Sequence, residues 1–344
     1  MTKQDELDGH LARLPRVILA HVPTPIEAMA RLSEAAGGST LLAKRDDLTG
    51  FATGGNKARQ LEYSMGAAVA AGTNMLLVTG AVQSNFMRTA AAAAAKLGMG
   101  CHLQLEDRVA GMDASYHANG NVLLDRLFGA TTSTFHIGED EAAADENLAQ
   151  IAGTYRNQGK TTYQLTLSAN TKPLSSLGYM RCAAEILDQI SDGEPPIDAI
   201  VLASGSASTH VGMLLGLRLL GSDTPVHGIC VRRNAVQQTQ RVRDIVRLAE
   251  ELVGCGRVVC DSEVLCHDKW FGPGYGQPVE STREAIDLAG RLEAIIVDPV
   301  YTGKSLAGAI GLSRDGVISK GQRALWVHTG GLPAVFAYGE KMFG

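Results

Sequence analysis

The chain has 344 residues, 45% of them hydrophobic and 19% charged, enough apolar material for a large core in one or two domains. A net charge of −5, scattered Lys and Arg and only 5% aromatic residues speak against partners such as nucleic acid or a membrane surface. The opening residues MTKQDELDGHLARLPRV are acidic and lack an apolar secretion core, and no run reaches membrane-spanning length, so a cytoplasmic location is expected.

In chain order, the first stretch that asks for an explanation is ATGGNKARQLE, residues 52–62. Its glycines predict a tight turn, and KARQLEYSMGAAVAAG has helical spacing, so Lys57 stands at a loop-to-helix junction. NMLLVTG reads as a buried strand and SNFMRTAAAAAAKLG as the helix after it. Ser84 and Asn85 begin that helix, either as plain caps or as a site for a carboxylate. GCHLQLED is a further strand, and NGNVLLDRLFG a helix closed by Gly129. SDGEPPI, around Pro195 and Pro196, is the most linker-like segment.

DAIVLASGS reads as a strand that breaks into ASGSAST, residues 203–209, before the helix THVGMLLGLRLLG. Small hydroxylated residues between a strand and a helix form either an ordinary turn or a cradle of backbone amides for an anion. PVHGICVRR, AIIVDPVY and ALWVHTGG are expected to be three more strands. Tyr275 and Tyr301 are interfacial core tyrosines or polar groups facing a site, and Thr302 and Thr329 are turn residues or hydroxyl donors. The alternation predicts an α/β protein with parallel-rich sheets flanked by helices, ligands gathering at the carboxyl ends of the strands. The six cysteines are too few for a disulfide framework. The gaps among Cys255, Cys260, Cys266 and His267 do not match zinc spacing, so no metal is expected.

GGNK at Lys57, QSN at Ser84–Asn85, the small-residue loop near Ser206, DPVYTGK near Tyr301 and HTGG near Thr329 occur together in this order. With that set the chain resembles the pyridoxal-phosphate-dependent family containing ACC deaminase, D-cysteine desulfhydrase and L-cysteate sulfo-lyase. The likeness runs from about Leu14 to about Tyr338. LAKRDDLTGFATGGNKARQLE and YHANGNVLLDRLFGAT look particularly like the L-cysteate sulfo-lyase branch.

The resemblance implies a two-domain fold type II enzyme, like the tryptophan synthase β-subunit, acting as a homodimer on a small amino-acid substrate. Residues 1–61 and 171–344 would form the large cofactor-binding domain and 62–170 the small one. Lys57 would hold pyridoxal 5′-phosphate in Schiff-base linkage and serve as the base. Asn85 would bond the cofactor's phenolic oxygen, and Ser206, Ala207, Ser208 and Thr209 its phosphate. Ser84 would hold the substrate carboxylate, with Tyr275 and Tyr301 facing the substrate. Thr302 stands where ACC deaminase-like sequences carry glutamate, so Thr302 or Thr329 would meet the ring nitrogen. A hydroxyl there makes a weaker electron sink, which suits loss of a good leaving group and not cyclopropane opening.

The chain departs from its relatives at Phe86, where histidine or glutamine is usual, and at LSANTKP, residues 167–173, where relatives have a glycine-rich loop. Ser168 and Lys172 thereby enter the expected substrate pocket. Lys172 either attracts a sulfonate or second carboxylate or is simply solvated. The implied reaction is β-elimination from a 3-substituted alanine: L-cysteate to pyruvate, sulfite and ammonia, or D-cysteine to pyruvate, sulfide and ammonia. Alternatives are a β-replacement synthase, a deaminase on another amino acid, or a non-catalytic cofactor-bearing binding protein.

Overall fold

The computed structural model describes residues 2–190 and 195–343, so the first part of the linker-like SDGEPPI, residues 191–194, lies outside the described residues. The strands are β1 (Ile26–Ala28), β2 (Thr40–Lys44), β3 (Met75–Ala81), β4 (Gly100–Glu106), β5 (Thr131–Phe135), β6 (Thr162–Leu165), β7 (Ala199–Ser204), β8 (Val226–Cys230), β9 (Leu265–His267) and β10 (Arg323–Val327). They form a six-stranded sheet in the order β1-β2-β10-β7-β8-β9 and a four-stranded sheet in the order β5-β4-β3-β6. Only the β1–β2 pair is antiparallel. Parallel strands covered by helices on both faces must be apolar throughout, and every residue of β3, MLLVTGA, is buried.

The large sheet is packed on both sides. Leu177, Leu202, Leu214 and Val246 belong to one apolar layer, and Val201, Leu306, Ile310 and Trp326 to another. The alanine run becomes the helix Asn85–Lys96, whose small side chains let it lie close on β3 and β4. Its start is capped by Ser84, whose hydroxyl accepts from the Met87 amide at 3.3 Å. Among the described residues no helix is long and apolar enough to cross a membrane.

One expected strand is absent. AIIVDPVY runs without strand pairing between the helices Glu280–Glu293 and Thr302–Arg314. Ile295, Val297 and Val300 are buried, which explains the apolar run, but the backbone is satisfied elsewhere. Ile296 O accepts from the His328 ring, and the Asp298 amide donates to Thr302 Oγ1. An apolar run reports burial, and burial alone does not decide pairing. Conversely, β5 (TTSTF) and β6 (TYQL) are largely polar or half-exposed strands that pairing to β4 and β3 recruits.

A buried ionic network fixes the ends of these elements. Arg59, on the helix Lys57–Ala70, donates to both Asp46 oxygens at 2.9 Å and to both Glu185 oxygens at 2.8 and 2.9 Å. Lys44, from β2, reaches Glu185 at 2.6 Å, and the Tyr179 hydroxyl donates to Asp46 at 2.6 Å. Burial pushes the Asp46 carboxyl up, but Arg59, Tyr179 and Lys44 more than offset this and hold it below its ordinary value. Removing one charge leaves the others buried and uncompensated, at a cost of about 3–5 kcal/mol. Asp46→Asn should therefore lower unfolding free energy in urea by about 3 kcal/mol. A loss under about 1 kcal/mol, the scale of one ordinary hydrogen bond, would show that the network does not anchor the fold.

Candidate active site

The turn before Lys57 exists because two glycine loops pack backbone against backbone. Gly54 has φ 76°, and a Cβ there would sit 1.9 Å from the Asp47 carbonyl oxygen. A Cβ on Gly330 would lie 2.7 Å from the Gly55 Cα. Only glycine permits that approach. The Gly55 amide then donates to Asp46 O at 3.0 Å and the Asn56 amide to Thr329 O at 3.1 Å, tying GGNK to HTGG. Lys57 follows as the first residue of its helix.

The Lys57 amine donates to Gln60 Oε1 at 3.2 Å and opens on a cavity at the carboxyl ends of β3 and β7. The residue keeps some accessibility toward that cavity, yet protein atoms surround it. Burial first, and then the nearby Lys172 charge, push its pKa down to about 7. A lysine neutral near pH 7 is a nucleophile and a base without help from another residue.

Below it lies the loop Gly205–Thr209. Arg233 donates to Gly205 O at 3.2 Å and Arg241 to Ser206 O at 3.3 Å. In a trans peptide the next N–H points away from the carbonyl, so the Ser206 and Ala207 amides turn from those guanidiniums. On that side Ser206, Ala207, Thr209, Asn56, Asn85 and Thr329 line a common cavity. Ala207 has φ 81°, a conformation costing about 1–3 kcal/mol in a non-glycine residue, and the helix Ser208–Leu219 starts without a side-chain cap. Thr209 Oγ1 accepts from Asn56 at 2.9 Å and Gln60 at 2.8 Å, which leaves its own proton to donate. The result is a set of donors waiting for an anion.

Asn85 and Thr329 line the same cavity; Asn85 Oδ1 accepts from Asn121 at 3.1 Å, leaving the amide NH2 available. Ser84 both caps its helix and faces the cavity, so the two readings of that residue are compatible. Tyr275 and Tyr301 line it too, their hydroxyls 2.6 Å apart, and burial raises both phenols so that they stay protonated. Phe86 lines it with the Lys172 ammonium 5.8 Å from its ring centroid. Lys172 is not solvated: it is 7% exposed and donates to Thr166 O at 2.7 Å.

Two expected residues stand apart. Thr302 lines neither cavity; its hydroxyl donates to Asp298 Oδ1 at 2.6 Å and accepts from the Asp298 amide at 2.7 Å. Its hydroxyl is spent on Asp298 in the turn before the helix it begins, and of the two threonines only Thr329 faces the cavity. Ser168 is also outside, capping the short turn Ala169–Thr171. The sequence reading missed Gln60, Arg108, Glu141, Arg232 and Arg241, all in the cavity wall. Gln60 stands one turn after Lys57 on the same helix, whereas Arg108 and Arg232 follow β4 and β8 and Glu141 and Arg241 lie on distant helices, where a charged residue gives no local signal. As for Cys255, Cys260, Cys266 and His267, no group of three or more His, Cys, Asp or Glu among the described residues is arranged to hold a metal.

An amine with a lowered pKa, an uncapped helix start on the cavity and the Thr329 hydroxyl match the amine-reactive, phosphate and ring ends of pyridoxal phosphate. The residues present fit that cofactor.

Comparison with known proteins points the same way. A family model described as "Pyridoxal-phosphate dependent enzyme" matches residues 17–330. The crystal structure of an ACC deaminase homologue is 33% identical, covers 98% of both chains and superposes with a TM-score of 0.86. That of O-ureido-L-serine synthase, 17% identical over 93% of this chain and 94% of its own with a TM-score of 0.65, shares the fold. The chain therefore belongs to the pyridoxal-phosphate-dependent enzyme family, within reach of ACC deaminase and its homologues.

Proposed function

We propose that the protein is a lyase that β-eliminates from a 3-substituted alanine, with L-cysteate as the leading substrate and D-cysteine as the second. The large domain would comprise residues 1–61 and 171–344 and the small one 62–170, with the site in the cleft between them. The observation that carries the reaction type is the chemistry of the smaller cavity beside Lys57, at the Ser206–Thr209 loop: among the described residues Thr329, Asn56, Asn85 and Thr209 line it and no carboxylate does, Glu141 lining only the wider cavity. Asp298, the acidic group nearest in sequence to Thr302, spends its oxygens on the amides of Val300, Tyr301 and Thr302.

When bound, pyridoxal phosphate supplies an electron-accepting ring that acidifies the substrate Cα–H bond. Thr329 offers a hydroxyl, which cannot hold a full proton on the ring nitrogen as a carboxylate would. Lys57, displaced by the substrate amine, takes the Cα proton. Ser84 and the helix start behind it orient the substrate carboxylate. Tyr275 and Tyr301 share a proton across their hydroxyl contact and can lend it to the departing group. The Cα–H electron pair forms the double bond as the Cβ–S bond breaks, sulfite leaves with that bond's electrons, and water releases pyruvate and ammonium.

The reading is tested by pyruvate release from protein loaded with pyridoxal phosphate, offered L-cysteate, D-cysteine, L-cysteine and 3-chloro-D-alanine separately. Turnover of L-cysteate with stoichiometric sulfite is the expected result; D-cysteine alone would make the enzyme a desulfhydrase, and no pyruvate from any would overturn elimination. Lys57→Ala should lose at least about a hundredfold in rate together with the visible cofactor band. Lys57 is active as the free amine, and its pKa is lowered, so cofactor loading of the apoprotein should speed up as pH rises through about 7 and level off above it. A midpoint near the ordinary lysine value of about 10 would contradict the desolvated amine.

A further inference from the structure

The cavity wall around Lys57 carries more positive charge than its carboxylates neutralise. Arg108, Lys172, Arg232 and Arg241 line it, with Glu141 the one lining carboxylate. Glu141 is shared by Arg232, Arg233 and Arg241, and Glu139 also pairs with Arg232, which leaves two carboxylates for three guanidiniums. Lys172 has a carbonyl partner at 2.7 Å in place of a carboxylate. Cations gathered away from water are costly unless an anion joins them. That cost shows in the lysines, since burial and then Arg241 bring Lys172 down to about 8.

Arg108 is the member held ready for a ligand. Its Nε and Nη2 both donate to Glu106 Oε2, at 3.0 and 2.6 Å, and Thr79 Oγ1 steadies the other Glu106 oxygen at 2.9 Å. The guanidinium lies beside the Tyr275 ring, 5.9 Å from its centroid. Its Nη1 makes no hydrogen bond within the protein among the described residues. A clamped guanidinium with one free N–H2 edge is a donor set for an oxyanion. The cofactor phosphate has its own cradle at Ser206–Thr209, and the α-carboxylate has Ser84, so the anion left for Arg108 is a second one on the substrate.

We propose that Arg108, backed by Lys172, is the specificity-determining subsite for an oxyanion carried at Cβ of the substrate, a sulfonate or a carboxylate. This rests on the reading of the substrate as a 3-substituted alanine and narrows it to one with a charged substituent. The leaving group is thereby selected by its charge as well as its size, and neutral amino acids of the same shape are left with an unfilled cationic pocket.

The test is a rapid-mixing titration of cofactor absorbance in the loaded protein with isosteric pairs. L-cysteate is paired with S-methyl-L-cysteine sulfone for the sulfonate arm, and L-aspartate with L-asparagine for the carboxylate arm. Wild type should prefer the charged member of at least one pair by tenfold or more, and that pair names the oxyanion. Arg108→Gln should reduce the preference at least tenfold, and Arg108→Lys should restore part of it. The double variant Glu106→Gln/Arg108→Gln, which leaves no orphaned carboxylate, replaces the single one if that fails to fold. A wild-type ratio near one in both pairs would overturn the subsite. Equal weakening of charged and neutral members in Arg108→Gln would also overturn it, assigning Arg108 to the α-carboxylate. Pyruvate is measured in the L-cysteate mixture. Preference without pyruvate sinks elimination and keeps the subsite, whereas pyruvate without preference does the reverse.

Discussion

The site depends on the buried bonds of Arg59 to Asp46 and Glu185. Arg59 stands two residues after Lys57 on the same helix, while Asp46 follows β2 and Glu185 belongs to the long helix Lys172–Ile190. One guanidinium therefore sets the position of the Lys57 helix against the large sheet and against the helix that begins with Lys172. Each bond is charge-assisted and sheltered from water, so the geometry has little freedom to relax. The same helix that carries Lys57 is thus anchored within one turn of it.

Around this anchor the chain builds two kinds of electrostatic surface from ordinary parts. The loop at Ser206 suits an anion because Arg233 and Arg241 take up its carbonyls and the helix Ser208–Leu219 starts there without a side-chain cap. The wall beyond it is cationic because Arg108 just after β4, Arg232 just after β8, Lys172 on the helix Lys172–Ile190 and Arg241 on the helix Ala235–Val253 converge there. Burial first, and then the Lys172 charge of that wall, favour the neutral amine of Lys57. Lys172 thus belongs to the cationic wall and also adds to the lowered pKa of Lys57.

The tyrosine pair belongs to the seam between the sheets. Tyr275 and Tyr301 share an apolar cluster with Ala81, Val82, Tyr116 and Tyr338, so residues following β3 and residues near the carboxyl terminus meet there. Their hydroxyls remain at the cavity edge, because a buried phenol needs a partner and each supplies the other's. Phe86 closes the same space with an apolar face, and Lys172 lies over it.

Much of this was legible in the residues alone. The apolar runs of β3, β4, β7 and β8 announced parallel strands, the glycine pair announced the turn at Lys57, and the small-residue loop announced a possible anion cradle. These are local properties: a backbone conformation only glycine tolerates, or a run apolar enough to be covered on both faces. AIIVDPVY misled because burial without pairing leaves the same apolar trace as a strand. Thr302 misled because its hydroxyl is spent on Asp298 four residues earlier, a choice made by the turn's shape. Arg108 and Arg232, after strands, and Arg241, on a helix, carried no signal, since a charged residue at such positions is usually solvated. The sequence by itself determined the fold type, the family and its cofactor, because those rest on short-range geometry and ordered motifs. Only the tertiary structure decided which charges share the cavity, because electrostatic interaction follows distance through space and not separation along the chain.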